Sequence, residues 1–546
     1  VVLFYLLYFI LFEPGFQTAD DAEMSLVVQG KVITDQPDSR LQFTHVIIGD
    51  TLVALNGVAP SVNWYGIYLL TCHVISMLAI SFVAFSKNAI TTSRIAFLIY
   101  LATVEIYCLN NLQFTTTASL SGMAGVLLMF RADEYERKWL LSTVGAVLVL
   151  LSSMIRVHSL FMVLVIGSPF LVAEMFRHYR NRNLSIIAPV ATCVVLILAA
   201  RSYQAYRVES DRDWSKAIEH QRSIARLING NLLPYTTENE GYYKAVGWTN
   251  AEYELFMWHV YCDDEVYSIS RFEHLNAKAN DRWSIRPFRF VAGTIGTLAM
   301  TMRRPVLVVA VAGALVLLAC SGKGNRFVVL STLALSFPLT FSLKEINYRC
   351  PDWVQIPILT NALLLAVVSY GRPIRGCDRS VEERTSSQMK WLWISAVCVS
   401  LVMIAIHHGE NSHQRRSREL IVEDFQRLGE KKYSVVVTPT VFPISALPVI
   451  ASSDALGNVN MLYFGTGQTF PWAPCIEDAR GLRSLLEVFE RPGTYLAIPN
   501  GFGEFANVIA NHLRQRTGRE VSIHPVWRGH RVFSVRLDIE SRDVVE

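Results

Sequence analysis

Charge is scarce in this chain. Asp, Glu, Lys and Arg make up 18% of its 546 residues and hydrophobic side chains 51%, with a positive mean hydropathy of +0.30. A soluble fold of this length would hold its apolar share lower, because its outer faces must be polar. The net charge of +4 offers no basic surface for nucleic acid. Cysteine pairing is missing too. None of the nine cysteines forms a CxxC pair, and Cys72, Cys108, Cys193, Cys320 and Cys398 lie inside apolar blocks as small core residues. Only Cys262, Cys350 and Cys475 would share the outer face, so no disulfide framework is expected. No internal repeat or low-complexity segment is apparent, and the chain opens without an initiator Met. Its first apolar run, Val1 to Phe12, would reach about 18 Å as a helix, short of a hydrocarbon core of about 30 Å. The expectation is a chain truncated inside its first transmembrane helix.

What is present is a series of apolar blocks of membrane-spanning length. After the first helix they stand near 64–86, 95–112, 115–130, 139–155, 157–176, 185–201, 305–320, 327–343, 354–370 and 391–407. Phe288–Met302 is apolar but rich in Gly and Thr and flanked by arginines, which predicts a helix lying in the interface. With that segment uncrossed, the short loops bearing Lys87 and Arg94, Arg131 and Arg137, Arg177 and Arg180, Lys323 and Arg326, and Arg372 to Lys390 share one face. Basic short loops mark the cytoplasmic face. The opposite face then holds loops 13–62 and 202–288, the 344–353 loop and the tail. Trp64, Tyr65, Trp391 and Trp393 suit interfacial belts. The only Asn-x-Ser/Thr sequon, at 183–185, lies on the cytoplasmic side, and unglycosylated outer loops fit a bacterial inner membrane.

The expected fold is therefore mainly α: a transmembrane bundle of about eleven helices over 1–407, with an extracytoplasmic α/β domain over 408–546. In that tail, helical patterns at 416–428, 478–490 and 502–516 alternate with β-rich runs at 433–438, 459–464, 494–499, 520–526 and 530–537. It has no GxGxxG and no P-loop, and Gly465-Thr466-Gly467 and Gly501-Phe502-Gly503 read as turns.

The sharpest chemical feature is Asp20-Asp21, eight residues past the first helix and followed by Glu23. Such carboxylates can act as a general base, or Asp21 and Glu23 can hold a divalent cation such as Mg or Mn. Adjacent residues do not share a helix face, so one can react while the other holds metal or backbone. Gln42 to Leu55 carries apolar residues at helical spacing and reads as a membrane-parallel helix roofing a site at the interface. Arg156 interrupts an apolar run at a membrane boundary, and its planar fork suits a phosphate. Lys344 and Arg349 offer two more cations for a departing phosphate. In the large loop, Asp263 and Asp264 stand among Trp248, Tyr253, Trp258 and Tyr261, a composition for sugar binding or for core packing. His407, His408, Glu410 and His413 have spacings that could ligate zinc.

A polytopic chain with a long first outer loop, an acidic pair soon after helix one and membrane-parallel helices in that loop resembles the GT-C glycosyltransferases. Gln113-Phe114-Thr115-Thr116-Thr117-Ala118 at a tight outer turn and Arg156 between two helices are further echoes. The resemblance implies a membrane enzyme that transfers a hexosyl or pentosyl group from a polyprenyl-phosphate donor to a glycan, lipid or protein acceptor at the outer face. It implies Asp20 or Asp21 as catalytic base; Arg156, Lys344, Arg349, Gln113, Asp263 and Asp264 are the candidate substrate-binding residues. Two other readings stay open. An O-antigen-type polymerase or ligase would use Arg222, Arg226, His220 and His259 of the large loop. A transporter or flippase would use an intramembrane acid such as Glu105.

Overall fold

An apolar run in hydrocarbon must satisfy its backbone internally, and a helix does so within one segment. The computed structural model of the chain describes residues 1–31, 36–86, 91–180, 186–228, 232–260, 266–280, 304–320, 323–347, 352–370, 386–430, 435–438, 447–450, 461–463, 485–490 and 493–540. Its first elements are α1 (Val2–Leu11), α2 (Ala19–Gln29), α3 (Val46–Val58) and α4 (Trp64–Ala84). Next come α5 (Thr91–Tyr100), a π-helical turn over Leu101–Glu105, α6 (Ile106–Asn110), α7 (Phe114–Arg131), α8 (Lys138–Arg180) and α9 (Ile187–Gln204). The large loop holds α10 (Arg212–Arg226), α11 (Glu240–Lys244), α12 (Asn250–Met257) and α13 (Ile269–Asn280). Four more helices follow: α14 (Pro305–Cys320), α15 (Lys323–Asn347), α16 (Asp352–Tyr370) and α17 (Ser386–Glu430).

Every expected membrane block is thus helical, and the chain is an integral membrane protein. Four helices, Trp64–Ala84, Ser93–Asn110, Lys138–Arg180 and Ile187–Glu209, are each long and apolar enough to cross a bilayer. The third carries two blocks, since Arg156 leaves helical geometry at φ −159° and ψ 105°. Helix α7 is buried along its whole length. It runs close to α8 because both lack side-chain bulk there: a Cβ on Gly125 would lie 2.6 Å from the Gly145 carbonyl oxygen. Small residues of this kind let membrane helices pack backbone to backbone. The membrane-parallel helix expected over 42–55 is α3. The segment Phe288–Met302 lies outside the described residues.

The tail holds β1 (Val435–Thr438), β2 (Met461–Tyr463), α18 (Leu485–Glu490), β3 (Thr494–Pro499), α19 (Glu504–Thr517), β4 (Val521–Arg528) and β5 (Val532–Ile539). Its strands form one five-stranded mixed sheet in the order β2-β1-β3-β5-β4. β1 pairs in parallel with β2 and β3, and β5 pairs antiparallel with β3 and β4. This is the α/β domain that the sequence predicts. A core crosses the sequence division at 407, however. Trp248, Tyr243, Phe256 and Phe272 of the large loop are buried in one cluster with Leu496, Phe505 and Leu513 of the tail. Glu252 and His512 meet across it at 3.3 Å, both buried. Glu252 also closes the capping box of α12 with Thr249, and these contacts, with His512, hold its carboxyl down at about 2 against the opposing effect of burial.

Candidate functional site

The segment after α1 is fixed by backbone bonds before any side chain acts. Leu112 N–H donates to Gly15 O at 2.7 Å and Gln17 N–H to Leu112 O at 3.0 Å, docking the start of α2 on the corner between α6 and α7. From below, Asn411 of α17 bonds both the N–H and the carbonyl of Glu13, and Arg418 donates to Pro14 O. The first turn of α2 therefore sits at one defined place, and an acid there meets the positive end of the helix dipole.

The two adjacent acids have different environments. Asp21 has no exposed surface. Its Oδ2 accepts from the Thr18 hydroxyl at 2.8 Å, and its Oδ1 from the Tyr65 hydroxyl at 3.0 Å and the Phe114 N–H at 3.1 Å. Burial, the largest cause, pushes its pKa up to about 7 against the pull of Thr18; Asp20 pushes further up and the other two donors hold it down. Asp20 accepts none of these three bonds and is half-buried. Burial raises its pKa too, and the positive field of Arg156 opposes that shift. Asp21 is thus a fully bonded post, and Asp20 the acid with an open side.

Arg156 faces this acid from the break in α8. Its Nη1 donates to Thr115 Oγ1 at 3.1 Å. Its guanidinium carbon lies 4.8 Å from the ring centre of Phe114 and 5.2 Å from that of Phe43, two rings stacked 5.0 Å apart. Aromatic faces orient a guanidinium without consuming its donors. One helical turn organises the whole group. Phe114 N–H holds Asp21, Thr115 holds Arg156, and Thr117 Oγ1 lies 3.1 Å from His73 Nε2. Gln113 N-caps that turn, its amide oxygen accepting from Thr115 and Thr116 N–H. Gln113, expected as a substrate ligand, thus has its amide oxygen on the helix end, and the residue is 1% exposed.

Helix α3 covers the group. His45 pins its start, with its N–H on Met154 O at 2.8 Å and its ring Nε2 2.6 Å from Ala200 O. Ile48, Leu52 and Asn56 face inward and Ile47, Leu55 and Val58 are exposed, as suits a helix lying in a membrane interface. The tail reaches the same place. Asn63 accepts from Ser25 of α2 at 2.8 Å and donates to Pro448 O at 3.0 Å. A Cβ on Gly66 would collide with Val449 O, so this crossing requires glycine. Gly66→Ala should loosen the 447–450 segment, detectable as faster proteolysis of the tail in the folded protein.

Asp20, Asp21, Arg156 and Gln113 are therefore brought together. Lys344 stands near the end of α15, its side chain outside the described residues, and Arg349, Asp263 and Asp264 also lie outside them. Glu23 is buried on α2. No group of three His, Cys, Asp or Glu that could hold a metal occurs among the described residues, and Asp21 has both oxygens engaged. The sequence reading missed Thr18, Tyr65, Phe43 and Thr115. Tyr65, expected at the lipid surface, is wholly buried on Asp21.

No family model matches the chain, and no curated protein matches it. Among solved structures it is similar to ArnT from Cupriavidus metallidurans. The apo crystal structure aligns over 98% of this chain and 97% of that one, at 11% identity and a TM-score of 0.42. The structure bound to undecaprenyl phosphate aligns over the same shares, at 10% identity and 0.39.

Proposed function

We propose that this chain is a membrane glycosyltransferase that takes its sugar from a polyprenyl-phosphate donor. The observation that carries the reading is the pairing of one open carboxylate, Asp20, with one aromatic-held guanidinium, Arg156, beneath a membrane-parallel helix. Asp20 accepts the proton of an acceptor hydroxyl. The hydroxyl oxygen bonds to the anomeric carbon as the carbon–oxygen bond to phosphate breaks, and the polyprenyl phosphate leaves with that electron pair. Displacement from the opposite face inverts the anomeric centre. Arg156 binds the phosphate, whose charge grows as the bond breaks.

Of the large-loop residues that a polymerase or ligase would use, Arg222 and Arg226 are exposed. His220 is half-buried, its Nε2 2.6 Å from Tyr267 O and its ring stacked on Phe272 at 5.2 Å. The test is glycosyl transfer by purified protein in lipid nanodiscs supplied with radiolabelled polyprenyl-phosphate sugars. Arg156→Lys keeps the charge but loses the planar fork and its fit on Phe43 and Phe114. It should raise the donor KM by about tenfold or more, with the acceptor KM little changed. No covalent product from any such donor, with substrate movement across the bilayer instead, would sink the reading.

A further inference from the structure

Glu105 is a fully buried acid that the proposed reaction does not use. It closes the π-helical turn between α5 and α6, a local widening often found where a helix carries function. Its Oε1 accepts from the Tyr5 hydroxyl at 2.7 Å and lies 2.9 Å from His73 Nδ1. Its Oε2 has no partner among the described residues. The same holds for Ser119 Oγ on α7 and Asn361 Nδ2 on α16, both in buried residues. These three side chains line one cavity of about 10 Å³, together with Thr116 and Thr360.

Three orphaned polar atoms from three elements around a single cavity call for a shared guest. Leaving even one such atom buried and unsatisfied is costly, most of all for a carboxylate oxygen. The guest must donate to Oε2 and accept from the Asn361 amide, and Ser119 can serve it either way. A bare cation satisfies the two oxygens but meets the amide hydrogens of Asn361. The volume admits one water. We propose that the cavity holds a single internal water that bridges Glu105, Ser119 and Asn361 and so ties the π-helical turn, α7 and α16 together.

This site supports the catalytic turn from behind. Glu105 holds His73, and His73 meets Thr117 in the turn whose Phe114 and Thr115 bond Asp21 and Arg156.

The test is infrared spectroscopy of the wild-type protein in nanodiscs, exchanged between normal water and water labelled with oxygen-18. An internal water gives an O–H stretching band, apart from the bulk band, that shifts with the heavier oxygen. That band should disappear in Ser119→Val and in Asn361→Leu, and change frequency in the milder Ser119→Ala. Absence of any isotope-sensitive band in the wild type overturns the proposal, as does a band unchanged in all three variants. A melting temperature raised by sodium over choline in the wild type, but not in Glu105→Gln, would also overturn it in favour of a cation. The wild-type isotope comparison holds even if a variant fails to fold.

Discussion

Asp20→Asn is expected to slow glycosyl transfer by about 10²–10⁴-fold, the usual weight of a positioned general base, while Asp21→Asn keeps most of the activity. Asparagine at 20 has the shape of aspartate and no basicity. At 21 the amide oxygen can still accept from Tyr65 and Phe114, and its NH2 can donate to Thr18 Oγ1 in place of accepting from it. The two variants also differ in their pH behaviour. Burial raises the Asp20 pKa, so kcat/KM should rise with pH through that value and then level off. Asp21 has its pKa lifted from 3.8 to about 7, so the folded protein binds that proton more tightly than the unfolded chain. Its contribution to stability is then full below pH ~4 and is lost as pH rises towards 7. The thermal midpoint of the wild type should fall from pH 5 to pH 8 more steeply than that of Asp21→Asn. Equal loss of transfer in the two variants, with both folded, would show that the acids are not divided in this way.

The division between the two acids is where the sequence stops being legible. Apolar block length placed the spans, and a lone arginine placed the break in α8, because hydrocarbon punishes both an unsatisfied backbone and an unplaced charge. Helix α2 carried no such signal. Residues 21–29 are buried on every side, so Ala19–Gln29 has no polar and apolar stripe to read. Tyr65 shows the same limit. An aromatic at a helix start reads as an interfacial anchor, and only the docking of α2 against α4 turns it inward onto Asp21. Gln113 was legible as a residue of interest but not as a cap, since capping depends on where α7 starts. The core shared by the large loop and the tail rests on pairs such as Glu252 and His512, whose separation in sequence leaves no periodic trace.

Asp424→Ala should detach the tail from the membrane domain, at a cost of roughly 3–5 kcal/mol. Helix α17 runs unbroken over 45 residues, so the last membrane span continues directly into the tail. Near its end Asp424 is wholly buried and receives three backbone N–H groups from the turn between β4 and β5. His530 donates to Oδ1 at 2.9 Å, and Arg531 and Val532 donate to Oδ2 at 2.6 and 3.0 Å. Removing the carboxylate takes the acceptor from three backbone donors, of which Val532 is buried. Asp424→Asn is the sharper probe, because every donor around the group requires an acceptor and one oxygen becomes NH2. It should lose at least one of the three bonds and fall between wild type and alanine. Gly529 closes the contact from the other side, where a Cβ would strike both Asp424 and Trp527, so Gly529→Ala should mimic the loss with the carboxylate intact. The measurement is limited proteolysis with thermal unfolding in nanodiscs: the tail should become cleavable while the membrane helices stay protected. Because Asn63 and Gly66 tie residues 448–450 to α4 beside the Asp20 helix, the same variants should raise the acceptor KM. A released tail with unchanged kinetics would confine it to a structural part.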